Sequence, residues 1–230
     1  DGRFLTNTWG DRSQDARINQ TFMMAEVKAA AALGAEVIQI DDGWQQGTTS
    51  NSVRARAQGG VWEGFYRRDP GFWNIHPARF PGGLNSLLEA LRKQGCELGL
   101  WFAPDSHDDF ANWRRDAEVL LGLYRRFGVR YFKFDGIKIR SRRGEQCLEA
   151  LLRHVQRESA GDIVVDLDVT AEQRPGYFGA MAAGPLFVEN RYTDFRRYWP
   201  HLTLRNLWSL AQYIHPARLR MEFLNPARNR

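Results

Sequence analysis

One pattern limits what this chain can fold into more than any other. A short apolar run ends on polar or aromatic residues, a segment with helical spacing follows, and the cycle repeats. The runs are Arg3–Trp9, Glu36–Asp41, Glu97–Ala103, Val129–Gly136, Asp162–Val169, Leu186–Arg191 and Arg218–Leu224. Helices are expected over Gln14–Leu33, Leu84–Gln94, Asn112–Phe127, Glu145–Ser159 and Leu202–Tyr213, with a short glycine-broken one near Tyr177–Ala183. In the first, Ile18, Phe22, Ala25, Ala29 and Ala32 fall on one face and Gly34 stops it. Strands recurring every roughly 30 to 40 residues with helices between them predict parallel βα units. Only the stretch from Asp42 to Gly83 breaks the rhythm. It is polar, carries Trp62, Phe65, Tyr66 and Trp73, and is long enough to be a functional excursion whose aromatics serve sugar stacking or loop packing.

Parallel βα units close into a barrel or open into a doubly wound sheet. No Gly-x-Gly-x-x-Gly follows the first strand and no phosphate-cradling Gly-Lys-Ser/Thr loop occurs, which removes the usual basis for a nucleotide-binding open sheet. Polar residues instead collect at the C-terminal ends of at least five strands, the place where a (β/α)8 barrel assembles its active site. The expected fold is therefore an α/β, TIM-type barrel. Residues 1–230 are expected to form one catalytic barrel domain, cut before its eighth strand from a longer multidomain protein.

Composition excludes several partners. No apolar run nears the ~20 residues needed to span a bilayer, so no membrane role is expected. The net charge of +5 comes from 28 arginines against 4 lysines spread along the chain, with one basic cluster at Lys138–Arg143. That cluster reads as a solvated turn, and without a helix-turn-helix, zinc-finger or RNP pattern no nucleic-acid partner is expected. Cys96 and Cys147 give neither a disulfide framework nor metal spacing; reduced thiols favour a cytoplasmic setting.

Chemistry concentrates in Val129–Gly136. Side chains alternate along a strand, so Phe132 and Phe134 share one face, under a cover of helices, while Lys133 and Asp135 share the other. An ammonium near a carboxylate keeps it ionised, which suits a nucleophile, although a structural ion pair reads the same way. The remaining strand-end residues are Trp9, Asp41, Asp42, Trp44, Trp101, Asp166, Asp168, Glu189, Arg191 and Asp194. They contain no histidine ligand set and the chain has no nucleophile elbow, so neither a metal, a cofactor nor a Ser-His-Asp triad is expected. A mouth of carboxylates, cations and indoles suits a pyranose, whose hydroxyls take charged partners and whose C–H face packs on tryptophan. Glycosidic cleavage adds the need for one ionised and one protonated carboxyl.

Ile40-Asp41-Asp42-Gly43-Trp44, Lys133-Phe134-Asp135-Gly136 and the ending Arg191-x-x-Asp194 resemble the melibiase-type α-galactosidases, clan D of the glycoside hydrolases. Phe80–Leu84 through Gly99–Pro104 is similar to that clan's segment around its third strand. The resemblance implies that Asp135 is the nucleophile and Asp194 the general acid/base of a retaining double displacement. It also implies that Asp41, Asp42, Lys133, Arg191 and Trp9 bind or stack on the sugar. Trp44, Trp101 and Asp168 complete the expected substrate-binding set. Two features depart from the family: only two residues separate Arg191 from Asp194, and the fifth strand offers Asp166 and Asp168 where relatives carry Glu or a Cys-Ser-Gly-rich turn. α-N-Acetylgalactosaminides and β-L-arabinopyranosides thus stand as alternative substrates, and a non-catalytic sugar-binding barrel as the alternative class. An α-galactoside or oligosaccharide is the expected partner, with oligomerisation expected through the domains that flank the barrel in relatives.

Overall fold

A computed structural model describes residues 2–11, 13–169, 180–188 and 200–221. Among them are seven strands: β1 (Leu5–Asn7), β2 (Val37–Ile40), β3 (Glu97–Phe102), β4 (Tyr131–Phe134), β5 (Val164–Asp168), β6 (Leu186–Val188) and β7 (Leu219–Met221). All pair in parallel, in chain order, in one sheet. The result is a curled partial barrel of the (β/α)8 type. The central strands β2, β3 and β4 are buried on both faces and are mainly apolar in sequence, whereas the outer strands β1 and β7 are half-buried.

The helices are α1 (Gln20–Ala32), α2 (Ala55–Gln58), α3 (Phe65–Arg68), α4 (Asn85–Lys93), α5 (Trp113–Phe127), α6 (Arg142–Glu158) and α7 (Pro200–Ala211). α1 begins later than its periodicity predicts because Asn19 caps it, its side chain accepting from Phe22 N–H. α6 begins earlier than predicted for the same kind of reason: Ser141 accepts from Gly144 N–H. The first strand is cut short where Thr8–Asp11 coil into a 3-10 turn, and of the helix expected over 177–183 the described part holds one 3-10 turn, Met181–Ala183. The ends expected for the sixth and seventh strands, at 189–191 and 222–224, lie outside the described residues.

Register sorts the side chains into layers. Phe132 pairs with Val165 and Leu100, and Phe134 with Leu167 and Phe102, which places these apolar residues on the helix-facing side. Their neighbours face inward: Gln39 and Tyr131 flank Gly99, and Lys133 lies between Trp101 and Asp166. Gly184 has a packing reason, since a methyl there would overlap the Val165 carbonyl oxygen. The excursion between β2 and β3 has its own aromatic core, in which Trp73 packs against Trp44, Phe65, Phe72, Trp101 and Phe102 at centroid distances of 4.2–6.0 Å. No helix among the described residues is long and apolar enough to cross a membrane.

Candidate active site

The strand ends converge on Lys133. Its ammonium is 2 % exposed and lies 3.0 Å from Asp41 Oδ2 and 3.5 Å from Asp168 Oδ2. Spacing along β4 suggests Asp135 as its partner, but a side chain this long leans across the sheet. Asp41, one residue past the Ile40–Leu100 pair, is level with Trp101 and within reach. Asp41 also accepts from Asn7 Nδ2 at 2.8 Å and from the Asp42 N–H at 2.8 Å, while its own N–H donates to Thr8 Oγ1. Asn7 was not singled out from sequence. It donates to Gln39 as well and accepts from Trp9 N–H at 2.7 Å, so it ties the turn carrying half-buried Trp9 to the carboxylate. The only sequence signal was its place at the end of a strand.

Asp42 points the other way, toward the excursion. It accepts from Gln45 Nε2 at 2.7 Å and from Thr49 Oγ1. Burial drives its carboxyl up to about 7 against the pull of those donors, and the charge of Asp41 adds to the rise. Asp166 lies deeper and is clasped through both oxygens by Arg220 from β7.

Asp135 sits at the C-terminal mouth of β4 and is half-buried. Gly136 N–H donates to its Oδ1 at 2.6 Å and Trp101 Nε1 to its Oδ2 at 3.2 Å. Two donors on separate oxygens orient the carboxylate and favour its ionised form. Trp101 is itself wholly buried, so it meets the carboxylate rather than offering a stacking surface. Trp44, expected at the sugar, is instead a core residue. It is wholly buried and its Nε1 donates to the Trp101 carbonyl at 2.7 Å, because the chain reverses at Gly43 and turns the indole under the excursion. Phe65, Tyr66 and Trp73 are likewise buried, leaving Trp62 half-exposed above Gly136. Arg191, Asp194 and Glu189 lie outside the described residues.

A cavity of about 1280 Å³ runs along the inside of the sheet between β1 and β7, walled by Asn7, Trp9, Lys133, Phe187 and Arg220. Asp135 does not line it. Among the described residues no group of three or more His, Cys, Asp or Glu is arranged to hold a metal ion.

A parallel βα barrel with carboxylates, an ammonium and indoles gathered at its strand ends has the kind of arrangement that glycoside hydrolases use. Residues 3–116 match the family model described as Melibiase. That match and the relatives below support a melibiase-type domain over this stretch, about half of the chain. It is 28% identical over 106 residues to an α-galactosidase of Lactobacillus acidophilus, a stretch covering 44% of this chain and 12% of that protein. It is 31% identical over 87 residues to one of Escherichia coli, covering 38% of this chain and 10% of that protein. The matched stretches thus span about a tenth of these relatives' length. The fold is shared with the α-galactosidase of Thermus thermophilus solved with stachyose, at TM-score 0.56 and 21% identity over 96% of this chain and 54% of that one. It is shared equally with α-galactosidase I of Mortierella vinacea, at TM-score 0.56 and 15% identity over 82% and 45%.

Proposed function

We propose that the protein hydrolyses terminal α-galactosides with retention of configuration, with Asp135 as nucleophile. The observation that carries this reading is the Asp135 carboxylate: accessible at the mouth of β4, with each oxygen oriented by its own donor. Asp194 is assigned the acid/base role by resemblance. In the first step Asp194 protonates the leaving oxygen while Asp135 bonds to the anomeric carbon; in the second, water enters with Asp194 as base and the Asp135–sugar bond breaks. Lys133 and Asp41, with Arg191 and Trp9, are assigned to the sugar's hydroxyls and ring face. Relatives described as α-galactosidases and a structural neighbour solved with stachyose support a galactoside-bearing oligosaccharide as substrate.

The test is hydrolysis of 4-nitrophenyl α-galactoside by the full-length protein, with α-N-acetylgalactosaminide and β-L-arabinopyranoside analogues alongside. Turnover with retained anomeric configuration is expected, and Asp135→Asn is expected to lower kcat by on the order of 10³ or more. Galactose binding without turnover of any of the three would leave only a sugar-binding barrel.

A further inference from the structure

Two residues of the excursion, Trp62 and Glu63, reach across to the loop that carries Asp135. Val61 is fixed at their root, its N–H donating to Thr48 O and its carbonyl accepting from Ser50 N–H. Trp62 follows. Its indole lies against Gly136 so closely that a methyl on that glycine would sit 3.0 Å from the ring's Cε3 and Cζ3, and its centroid is 6.3 Å from that of Trp101. Gly136 and Trp101 both donate to the Asp135 carboxylate. Glu63 then grips the β4–α6 loop from outside: Arg140 donates to both its oxygens, at 2.7 and 2.9 Å, and Lys138 Nζ lies 3.4 Å away. Gly64 closes the segment, its N–H donating at 2.6 Å to Asp105, a wholly buried carboxylate.

A half-exposed ion pair contributes little to stability, because solvent screens it. A bidentate arginine fork does fix geometry, and geometry matters where a nucleophile must meet a carbon within a few tenths of an ångström. We propose that Trp62 and Glu63 are positioning residues for Asp135: the indole backs both donors that hold the carboxylate, and Glu63 anchors the loop that follows it. The role rests on Asp135 being the nucleophile. It differs from sugar stacking by Trp62, which would act on substrate affinity rather than on the chemical step.

Full-length protein and 4-nitrophenyl α-galactoside supply the test, with Trp62→Ala, Trp62→Phe and Glu63→Gln as variants and thermal melting as the check on folding. Trp62→Ala is expected to lower kcat by about 100-fold and Glu63→Gln by about tenfold, each with KM within about twofold of wild type, since a small misplacement at the reacting centre costs rate rather than binding. Trp62→Phe, which keeps a ring on Gly136, is expected to recover most of the loss. The acid limb of the kcat/KM profile is expected to move to higher pH in Trp62→Ala, because loosened donors favour the anion less. If Trp62→Ala does not fold, Glu63→Gln and Trp62→Phe decide, and wild-type kcat in Glu63→Gln overturns the role. A loss carried in KM, or an unmoved acid limb, overturns it too. Absence of turnover in the wild-type protein removes the hydrolase reading and this role with it, whereas turnover undiminished in the folded variants removes the role alone.

Discussion

Replacing Lys133 with methionine tests how the inside of the sheet is held together. The side chain keeps its length and apolar stem and loses only its charge. In the native fold that ammonium lies 3.0 Å from Asp41 and 3.5 Å from Asp168, all three residues being at most 2 % exposed. At an effective dielectric near 20 each contact is worth roughly 5 kcal/mol before desolvation is counted, and removing one partner from a buried pair typically costs about 3–5 kcal/mol net. Among the described residues both Asp41 and Asp168 pair with this cation, so Lys133→Met is expected at the upper end of that range. Urea unfolding followed by tryptophan fluorescence at pH 7 measures it directly. Lys133→Met/Asp168→Asn should regain more than about 1 kcal/mol by relieving the repulsion. A loss below about 1 kcal/mol at pH 7, or a double variant no more stable than Lys133→Met, would refute a charge-centred interior.

Two further outcomes follow from packing and burial. Gly184→Ala places a methyl on the Val165 carbonyl oxygen in the neighbouring strand, so the β5–β6 pairing must shift; a loss of about 1–3 kcal/mol in urea unfolding is expected, and unchanged stability would show the contact to be slack. Asp116, buried and accepting from Tyr66 Oη and Asp105 N–H, has its carboxyl pushed up to about 7 by burial. Between its ordinary range near 4 and pH 7 the folded state holds this proton while the unfolded chain releases it. The associated stability is therefore complete below that window and is lost as pH rises through 7. Asp116→Asn should flatten the fall in melting temperature from pH 5 to pH 8, and identical slopes in variant and wild type would contradict the assignment.

Strand positions were legible because a sheet covered on both faces favours mainly apolar runs such as Val37–Ile40 and Tyr131–Phe134, each broken by one inward-facing polar residue. Helix starts were less so. The Ser141 cap sits inside the basic stretch Lys138–Arg143, which reads as a solvated turn; the structure uses part of that stretch to begin α6 and pairs Lys138 and Arg140 with Glu63, a residue more than seventy positions earlier. Nothing local encodes such a partner. The same limit explains the site. Lys133 and Asp135 are two residues apart, yet the cation turns to Asp41 and Asp168, neighbours that only strand register reveals. Motif grouping misled at Trp44, where adjacency to Asp41 and Asp42 suggested a sugar contact and a chain reversal sends the ring into the core.

The excursion between β2 and β3 divides into stretches with unequal freedom to change. Thr48 and Ser50 hold Val61, Thr49 holds Asp42 and Ser52 holds Asp15, whereas the largely exposed turn Arg54–Ala57 around α2 has more room to change. From Val61 to Gly64 almost every residue is committed, to Thr48, Gly136, Arg140 or Asp105. Diversity grafted into this scaffold belongs in the Arg54–Ala57 turn, and not in Thr48–Ser52 or Val61–Gly64.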